Sequence, residues 1–227
     1  QLAVGATHSC AVTEEGEVHC WGGNSWGQMG FAPAEDDSVG APKKIEGLPE
    51  IAMVALNGTQ SCAVSGAGEL WCWGAPGPVT AGGHGFPGPA DHVPPFRVGS
   101  PASYVEVALA DGYGCARTAE GEIDCWGEKL ATQIGLAGGP ACVGDPDGVC
   151  LLPVRLGTGA RFSKIVAGRG RTCGLAKDDG GVWCWGESRA PEVERTGSYL
   201  DLAVHGDHLC TVSGENLLSC SGGMNPV

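Results

Sequence analysis

Ten of the chain's twelve cysteines fall in five pairs of almost constant spacing, and no other feature restricts the fold as much. The pairs are Cys10 and Cys20, Cys62 and Cys72, Cys115 and Cys125, Cys173 and Cys184, and Cys210 and Cys220. Nine residues lie between the members of four pairs, and ten between Cys173 and Cys184. The first cysteines follow one another at 52, 53, 58 and 37 residues, a period range that belongs to propeller blades or stacked arrays. A zinc ribbon or finger presents two sulfurs from one turn with a knuckle of about two to four residues. None of the five pairs has one.

Within each pair, short alternating segments flank a glycine-containing centre, as Ala11-Val12 and Glu17-Val18 do around Gly16, so each unit reads as a β-hairpin. In the first three units a three-residue loop ending in glycine, such as Glu14-Glu15-Gly16, fits a type I turn followed by a left-handed glycine bulge. That register sets the two cysteines directly opposite each other, where a cross-strand disulfide can form. On the chain-entropy estimate such a bridge contributes about 2.8 kcal/mol. Cys142 and Cys150 stand outside the pattern, in the insertion after the third hairpin, and are expected to close it on itself. With 40 glycines and 15 prolines in 227 residues, the chain is expected to be all-β, made of short strands and turns.

Each unit also carries a proline before a short apolar-polar run: Pro42 to Ile45, Pro95 to Val98, Pro153 to Leu156, Pro191 to Val193, and Pro226-Val227. The first residue of a strand tolerates proline, so these prolines are expected to start a further strand. A strand entering the next hairpin follows, as in Tyr104 to Leu109 or Phe162 to Ala167. The chain begins inside such an entering strand, at Leu2-Ala3-Val4, and ends at Pro226-Val227, so its two ends are expected to pair and close a ring. The hairpins lie near 4–30, 54–74, 107–127, 165–186 and 202–222, and one domain is expected to span 1–227.

The stretch from Gly5 to Gly30, with His8-Ser9, Ala11-Val12, Gly16, Val18, Trp21-Gly22, Asn24 and Gly27-Gln28-Met29-Gly30, resembles the repeat of the regulator of chromosome condensation family. The resemblance weakens along the chain, Gly27-Gln28-Met29-Gly30 decaying to Thr132-Gln133-Ile134-Gly135. It implies a β-propeller with one blade per repeat, hence five blades with intra-blade disulfides here, where the well-known members have seven. Cysteines at both hairpin positions followed by Trp-Gly are similar to the extracellular versions of the repeat, including the ectodomains of crinkly-type plant receptor kinases. The family's ultraviolet sensing uses clustered tryptophans, whereas Trp21, Trp73, Trp126 and Trp185 follow the second cysteine and are expected to pack between blades.

Charge narrows the partners. The formal net charge is −13, which repels phosphate backbones and anionic lipid, so neither nucleic acid nor membrane insertion is expected. No stretch approaches the roughly 18 apolar residues of a membrane-spanning helix. Glu14, Glu15, Glu17, Glu35, Asp36 and Asp37 make the first unit acidic, while Arg161, Lys164, Arg169 and Arg171 gather before the fourth hairpin. Complementary charge on a partner would steer it to one or the other.

His8 and His208 share one repeat position, two before the first cysteine, with Gln60, Tyr113 and Arg171 in the other units. A side chain recurring there can hydrogen-bond a neighbouring loop, or, together with Arg169, these residues can line one polar end of the ring. Gly23-Asn24-Ser25-Trp26-Gly27 matches a nucleophile-elbow pattern but no helical periodicity follows it, so Ser25 is read as a loop residue and catalysis is not expected. Asp145 and Asp147 lie in the insertion and are a fragment of a calcium loop, short of the six to eight oxygens that ion takes; a plain Asp-Gly turn is the preferred reading, with no metal and no cofactor. Asn57-Gly58-Thr59 is a formal glycosylation acceptor or an Asn-Gly turn.

Twelve cysteines point to an oxidising compartment. The expected function is therefore a non-catalytic secreted or cell-surface recognition module that binds a protein or glycan through one end of the ring and its long connecting segments, 74–101 and 129–157. The alternatives are a structural subunit that contacts copies of itself, and a protein inhibitor of an enzyme.

Overall fold

In the structure, a computed structural model, each repeat unit folds into one antiparallel sheet. The residues described are 1–33, 38–77, 79–80, 92–99, 102–128, 149–186, 189–206 and 208–222. Blade one takes β1 (Leu2–Val4), β2 (His8–Val12), β3 (Val18–Gly23) and β4 (Ser38–Lys44) as spatial neighbours in chain order. Blade two repeats this with β5 (Ile51–Leu56), β6 (Gln60–Ser65), β7 (Leu70–Gly74) and β8 (Val93–Arg97). Blade three holds β9 (Tyr104–Leu109), β10 (Tyr113–Thr118), β11 (Ile123–Gly127) and β12 (Cys150–Arg155). Blade four holds β13 (Phe162–Ala167), β14 (Arg171–Ala176), β15 (Val182–Gly186) and β16 (Arg189–Arg195). Among the described residues blade five has three strands, β17 (Tyr199–His205), β18 (His208–Ser213) and β19 (Leu218–Ser221).

The central hairpins form as the sequence requires. Cys10 faces Cys20, Cys62 faces Cys72, Cys115 faces Cys125, Cys173 faces Cys184 and Cys210 faces Cys220 in the strand register. All five pairs are disulfides with Cα atoms 4.1 Å apart. Cys150 is also disulfide-bonded, whereas Cys142 lies outside the described residues. At the tips, Gly16, Gly68, Gly121 and Gly180 take φ of 78°, 82°, 95° and 69°, the left-handed conformation that closes the bulge and that glycine adopts without a Cβ clash. Asn216, with φ 61°, takes this place in blade five.

Those tips also latch one blade to the next. The carbonyls of Gly16, Gly68, Gly121 and Gly180 accept the amides of Ile51, Tyr104, Phe162 and Tyr199, at 2.9, 2.9, 2.8 and 3.0 Å. Each latched amide opens or flanks the entering strand of the following blade, so the tip fixes where the next sheet begins.

The prolines correct one expectation. Pro42, Pro95, Pro153 and Pro191 sit inside β4, β8, β12 and β16 rather than at their first residues. These are edge strands, and the pairing skips past each proline at a register shift: Cys20 pairs Lys43 and Gly22 pairs Val39, while Cys125 pairs Val154 and Gly127 pairs Cys150. An edge strand with a bulge accommodates a residue that cannot donate to the ladder. Pro226 and Val227 lie outside the described residues.

The core sits between blades, not within them. One cluster joins Val12, Val18, Met29 and the Cys10–Cys20 disulfide to Val54, Ala63 and Trp73 of blade two. The same arrangement joins Leu70 and Cys62–Cys72 to Val107 and Trp126, then Ile123 and Cys115–Cys125 to Ile165 and Trp185. Between blades four and five the cluster is reduced to Cys173, Leu175, Val182, Cys184, Leu202 and Leu209. Thus three tryptophans pack between blades as expected, while Trp21 is only half-buried. Among the described residues the packing runs from each blade to the next, and the fifth makes no comparable contact with the first. The expected pairing of the two ends falls on Pro226-Val227, outside the described residues; β1 pairs with β2 of its own blade, Leu2 opposite Ala11.

Candidate functional site

The repeat position shared by His8, Gln60, Tyr113, Arg171 and His208 lies where the second strand of each blade begins. His8, Gln60 and Tyr113 are buried and present no open polar face, and His8 and Tyr113 serve the joints between blades. His8 Nε2 lies 2.8 Å from Ser61 Oγ in blade two, and that hydroxyl donates to the Gln28 carbonyl at 2.7 Å. Since the serine proton is directed to Gln28, His8 must donate from Nε2, which leaves Nδ1 bare and without a hydrogen bond. Burial lowers the His8 pKa to about 4, because an imidazolium there would lose its hydration without gaining an anion. A serine hydroxyl facing a histidine invites comparison with an activated nucleophile, yet Ser61 is fully buried and donates away from the ring. The pair holds two blades together.

Blade three does the same with different residues. Thr172 Oγ1 donates to Tyr113 Oη at 3.0 Å, and Tyr113 reaches the Gly170 carbonyl at 3.4 Å. Where the following blade offers Gly114 instead of a hydroxyl, Gln60 turns to its own blade, donating to the Ala75 carbonyl at 3.1 Å. Arg171 places Nη2 2.8 Å from Glu194 Oε2, an ion pair close in distance without hydrogen-bond alignment. His208 is exposed.

The basic cluster is neutralised where it stands. Arg161 lies 3.8 Å from Glu122, Arg169 3.5 Å from Asp111, and Lys164 pairs with Asp201, whose carboxyl is held below its usual range by the Lys164 hydrogen bond. Only Arg169 remains fully displayed, at 86% side-chain exposure. In the acidic unit Glu14 and Glu15 are exposed. Glu17 is bound by Lys44 at 2.6 Å and His19 at 3.3 Å, and the Lys44 hydrogen bond chiefly lowers its pKa. Glu35, Asp36 and Asp37 lie outside the described residues, as do Asp145 and Asp147.

One end of the blade array carries a feature that the repeat pattern alone does not single out. The loop after β3 is pinned by buried amides: Asn24 Oδ1 accepts the Met29 amide at 3.0 Å and its Nδ2 donates to the Phe31 carbonyl at 3.1 Å. Gln28 Oε1 accepts the Trp26 amide at 2.9 Å, and the Gln28 carbonyl takes the Trp73 indole at 2.9 Å. Asn24, Gln28 and Met29 are buried, while Trp26 stands 50% exposed on this fixed loop. The signal was present in Asn24 and the Gly27-Gln28-Met29-Gly30 stretch, whose buried polar residues exist to hold a loop. Ser25 is an exposed loop residue beside Trp26. Asn57 is fully engaged in its turn, accepting the Thr59 and Gln60 amides at 3.0 and 2.8 Å and donating to Gln60 Oε1 and the Ala110 carbonyl. Among the described residues no three His, Cys, Asp or Glu side chains group as metal ligands, and no helix is long and apolar enough to cross a membrane.

Comparison with known proteins gives the fold its family setting. Two family models described as the regulator of chromosome condensation (RCC1) repeat match residues 1–28 and 15–64. The RCC1 domain-containing protein RUG3, mitochondrial, of Arabidopsis thaliana is 42% identical over 76 residues, covering 33% of this chain and 17% of that protein. Prp20p from Saccharomyces cerevisiae superposes with a TM-score of 0.75 at 19% identity, covering 91% of this chain and 53% of that one. The CRINKLY WD40 ectodomain of the Arabidopsis thaliana receptor kinase ACR4 gives 0.62 at 19% identity, covering 98% of this chain and 65% of that one. The chain thus spans less than a fifth of that curated relative and between half and two thirds of those two solved chains. Five disulfide-stapled sheets packed in sequence and this likeness in fold show a β-propeller of the RCC1 type, with RCC1 repeats matched over residues 1–64 and a fold similar to crinkly-type ectodomains.

Proposed function

We propose that the chain is a non-catalytic recognition module acting outside the cell as one unit, and that it binds a protein through the end of the blade array bearing Trp26. The observation that carries this reading is the half-exposed Trp26 on a loop locked by Asn24 and Gln28. A rigid aromatic gives a partner a large contact area with little ordering cost, which is why tryptophan dominates interface energetics. Thr7, Asp111 and Arg169 edge the same end, since they lie in the turns that precede β2, β10 and β14. The five described disulfides support an oxidising compartment. The likeness to a receptor-kinase ectodomain supports a cell-surface role, and Prp20p, whose reported binding is to Gsp1p and histones, supports a protein as the ligand class.

A photo-cross-linking residue placed at Trp26 is expected to capture a protein from a secreted or cell-surface fraction, while one at Glu14, on the opposite end, captures none. Equal capture at both positions, or capture at neither, would remove this end of the blade array as the recognition surface.

A further inference from the structure

The loop that carries Trp26 hangs from the Thr7-His8 segment at three points. The Gly23 amide donates to the Thr7 carbonyl at 2.8 Å, and Gln28 Nε2 donates to Thr7 Oγ1 at 3.3 Å. The third point is the Gln28 carbonyl, which accepts the Ser61 hydroxyl at 2.7 Å while His8 Nε2 donates to that hydroxyl at 2.8 Å. Gln28 in turn fixes Trp26, whose amide donates to Gln28 Oε1. The His8 ring therefore stands one hydroxyl away from the residue that positions Trp26.

This arrangement suits only a neutral ring. Nε2 already carries a proton, so acid adds the second one at Nδ1, which is buried and has no acceptor. No charge is at hand to balance it. The strands β1, β5, β6 and β7 and the loop 24–33 bring no titratable side chain to His8; β3 brings His19, opposite Ala11 and bound to Glu17, and His92 packs against Gly27 of the loop. An imidazolium here loses its hydration without compensation, and it regains water only when its segment moves. At the same repeat position Gln60, Tyr113 and Arg171 keep one charge state between neutral and mildly acid pH. His8 does not, and it stands at the joint that carries the Trp26 loop.

We infer that His8 is an acid-operated catch on the Trp26 loop: a second proton on the ring draws the Thr7-His8 segment out of the joint, frees Gln28 and opens the loop while the sheets stay folded, so that acid weakens the hold on a protein docked there. The docking clause rests on the reading of Trp26 as the recognition residue; the opening of the loop does not. The closed ring takes its second proton near pH 4 and an opened ring near the ordinary 6.5, so the opened form binds more protons and gains on the closed one as pH falls.

Native-state hydrogen exchange on the full 227-residue chain tests it, with protection corrected for the intrinsic exchange rate at each pH. The Trp26 and Met29 amides, bonded to Gln28 Oε1 and Asn24 Oδ1, are expected to lose about 30-fold in protection between about pH 7.5 and pH 5, and to stay less protected than the amides of β6 and β7 at both. His8→Gln, or His8→Asn should the longer amide not fold, is expected to abolish the fall, and His92→Gln to keep it. Unchanged loop protection, a fall that survives the His8 substitution or vanishes with that of His92, or loop amides that exchange only together with β6 and β7 would each overturn the inference. No partner enters the measurement: failure to capture a protein at Trp26 would remove the recognition surface and leave the catch, and an unresponsive loop would do the reverse.

Discussion

Identical residues at one repeat position carry different energies because their neighbours differ. Trp73 is fully buried against blade one and donates its indole proton to Gln28, whereas Trp21 occupies the same position half-exposed. Trp73→Ala is expected to destabilise the chain by about 3–5 kcal/mol, the usual cost of a large aromatic cavity, and Trp21→Ala by less than about 1 kcal/mol in dilute solution; equal shifts in urea denaturation would show that the joints do not set the cost. His8 makes a prediction in pH. The unfolded chain protonates it near 6.5 but the folded chain only near 4, so its neutral form supports the fold fully above the first value and progressively loses that support as pH falls toward the second. The expected loss is on the order of 3 kcal/mol. His8→Gln, which cannot titrate and which Gln60 shows to fit this position, should remove most of the slope between pH 7 and pH 4.5; an unchanged slope would assign it to the carboxylates. Repeat spacing alone separates neither the two tryptophans nor His8 from His208, since burial depends on a neighbouring blade that spacing does not reveal.

At the scale of elements, the hairpins were readable and the outer strands only partly so. A cysteine pair around a turn glycine fixes register through local chain geometry, and all five described disulfides follow it. The proline-bearing strands pair across long insertions, so their bulges depend on tertiary contacts, and Pro42 or Pro153 was misplaced for that reason. The tip glycines have a second duty that local reading also misses. A Cβ on Gly121 would stand 2.6 Å from the Phe162 carbonyl oxygen and 2.8 Å from its amide nitrogen, at a φ of 95°. Neither backbone atom can yield without moving blade four, so Gly121→Ala is expected to cost about 2–4 kcal/mol. Gly47→Ala has a similar φ of 80° but meets nothing within 4 Å, and its cost should stay near 1 kcal/mol. Thermal unfolding of the two variants separates latch from turn strain, and equal melting temperatures would leave the latch without weight.

Over the whole molecule, the charge asymmetry seen along the sequence becomes partly an asymmetry between ends. Glu14, Glu15, Glu120, Asp178, Asp179 and Glu215 are exposed at or beside the hairpin tips, opposite the end that displays Trp26, so net charge keeps one end solvated and leaves the other to contacts. Stability is graded along the same array, since among the described residues the packing runs between neighbouring blades and the joints differ in quality. The first three joints each bury a tryptophan of the following blade, but Ser221 replaces it in blade five. There the joint relies on Leu202 and Leu209 and on Arg195, which donates to Thr211, Ser219 and Ser221. The Cys210–Cys220 disulfide is correspondingly open, with Cys220 exposed while the paired cysteines of blades one to four are at most 4% exposed. Blade five should therefore open first, by sub-global unfolding that leaves the other four intact. In dilute solution, amides of β18 and β19 are expected to exchange with deuterium faster than those of β6 and β7, and timed reduction with alkylation should label Cys210 and Cys220 before any other described pair. Uniform protection across the five hairpins, or simultaneous labelling of all pairs, would mean that the blades unfold as one cooperative unit and that the tryptophan missing from the fourth joint is compensated by Arg195.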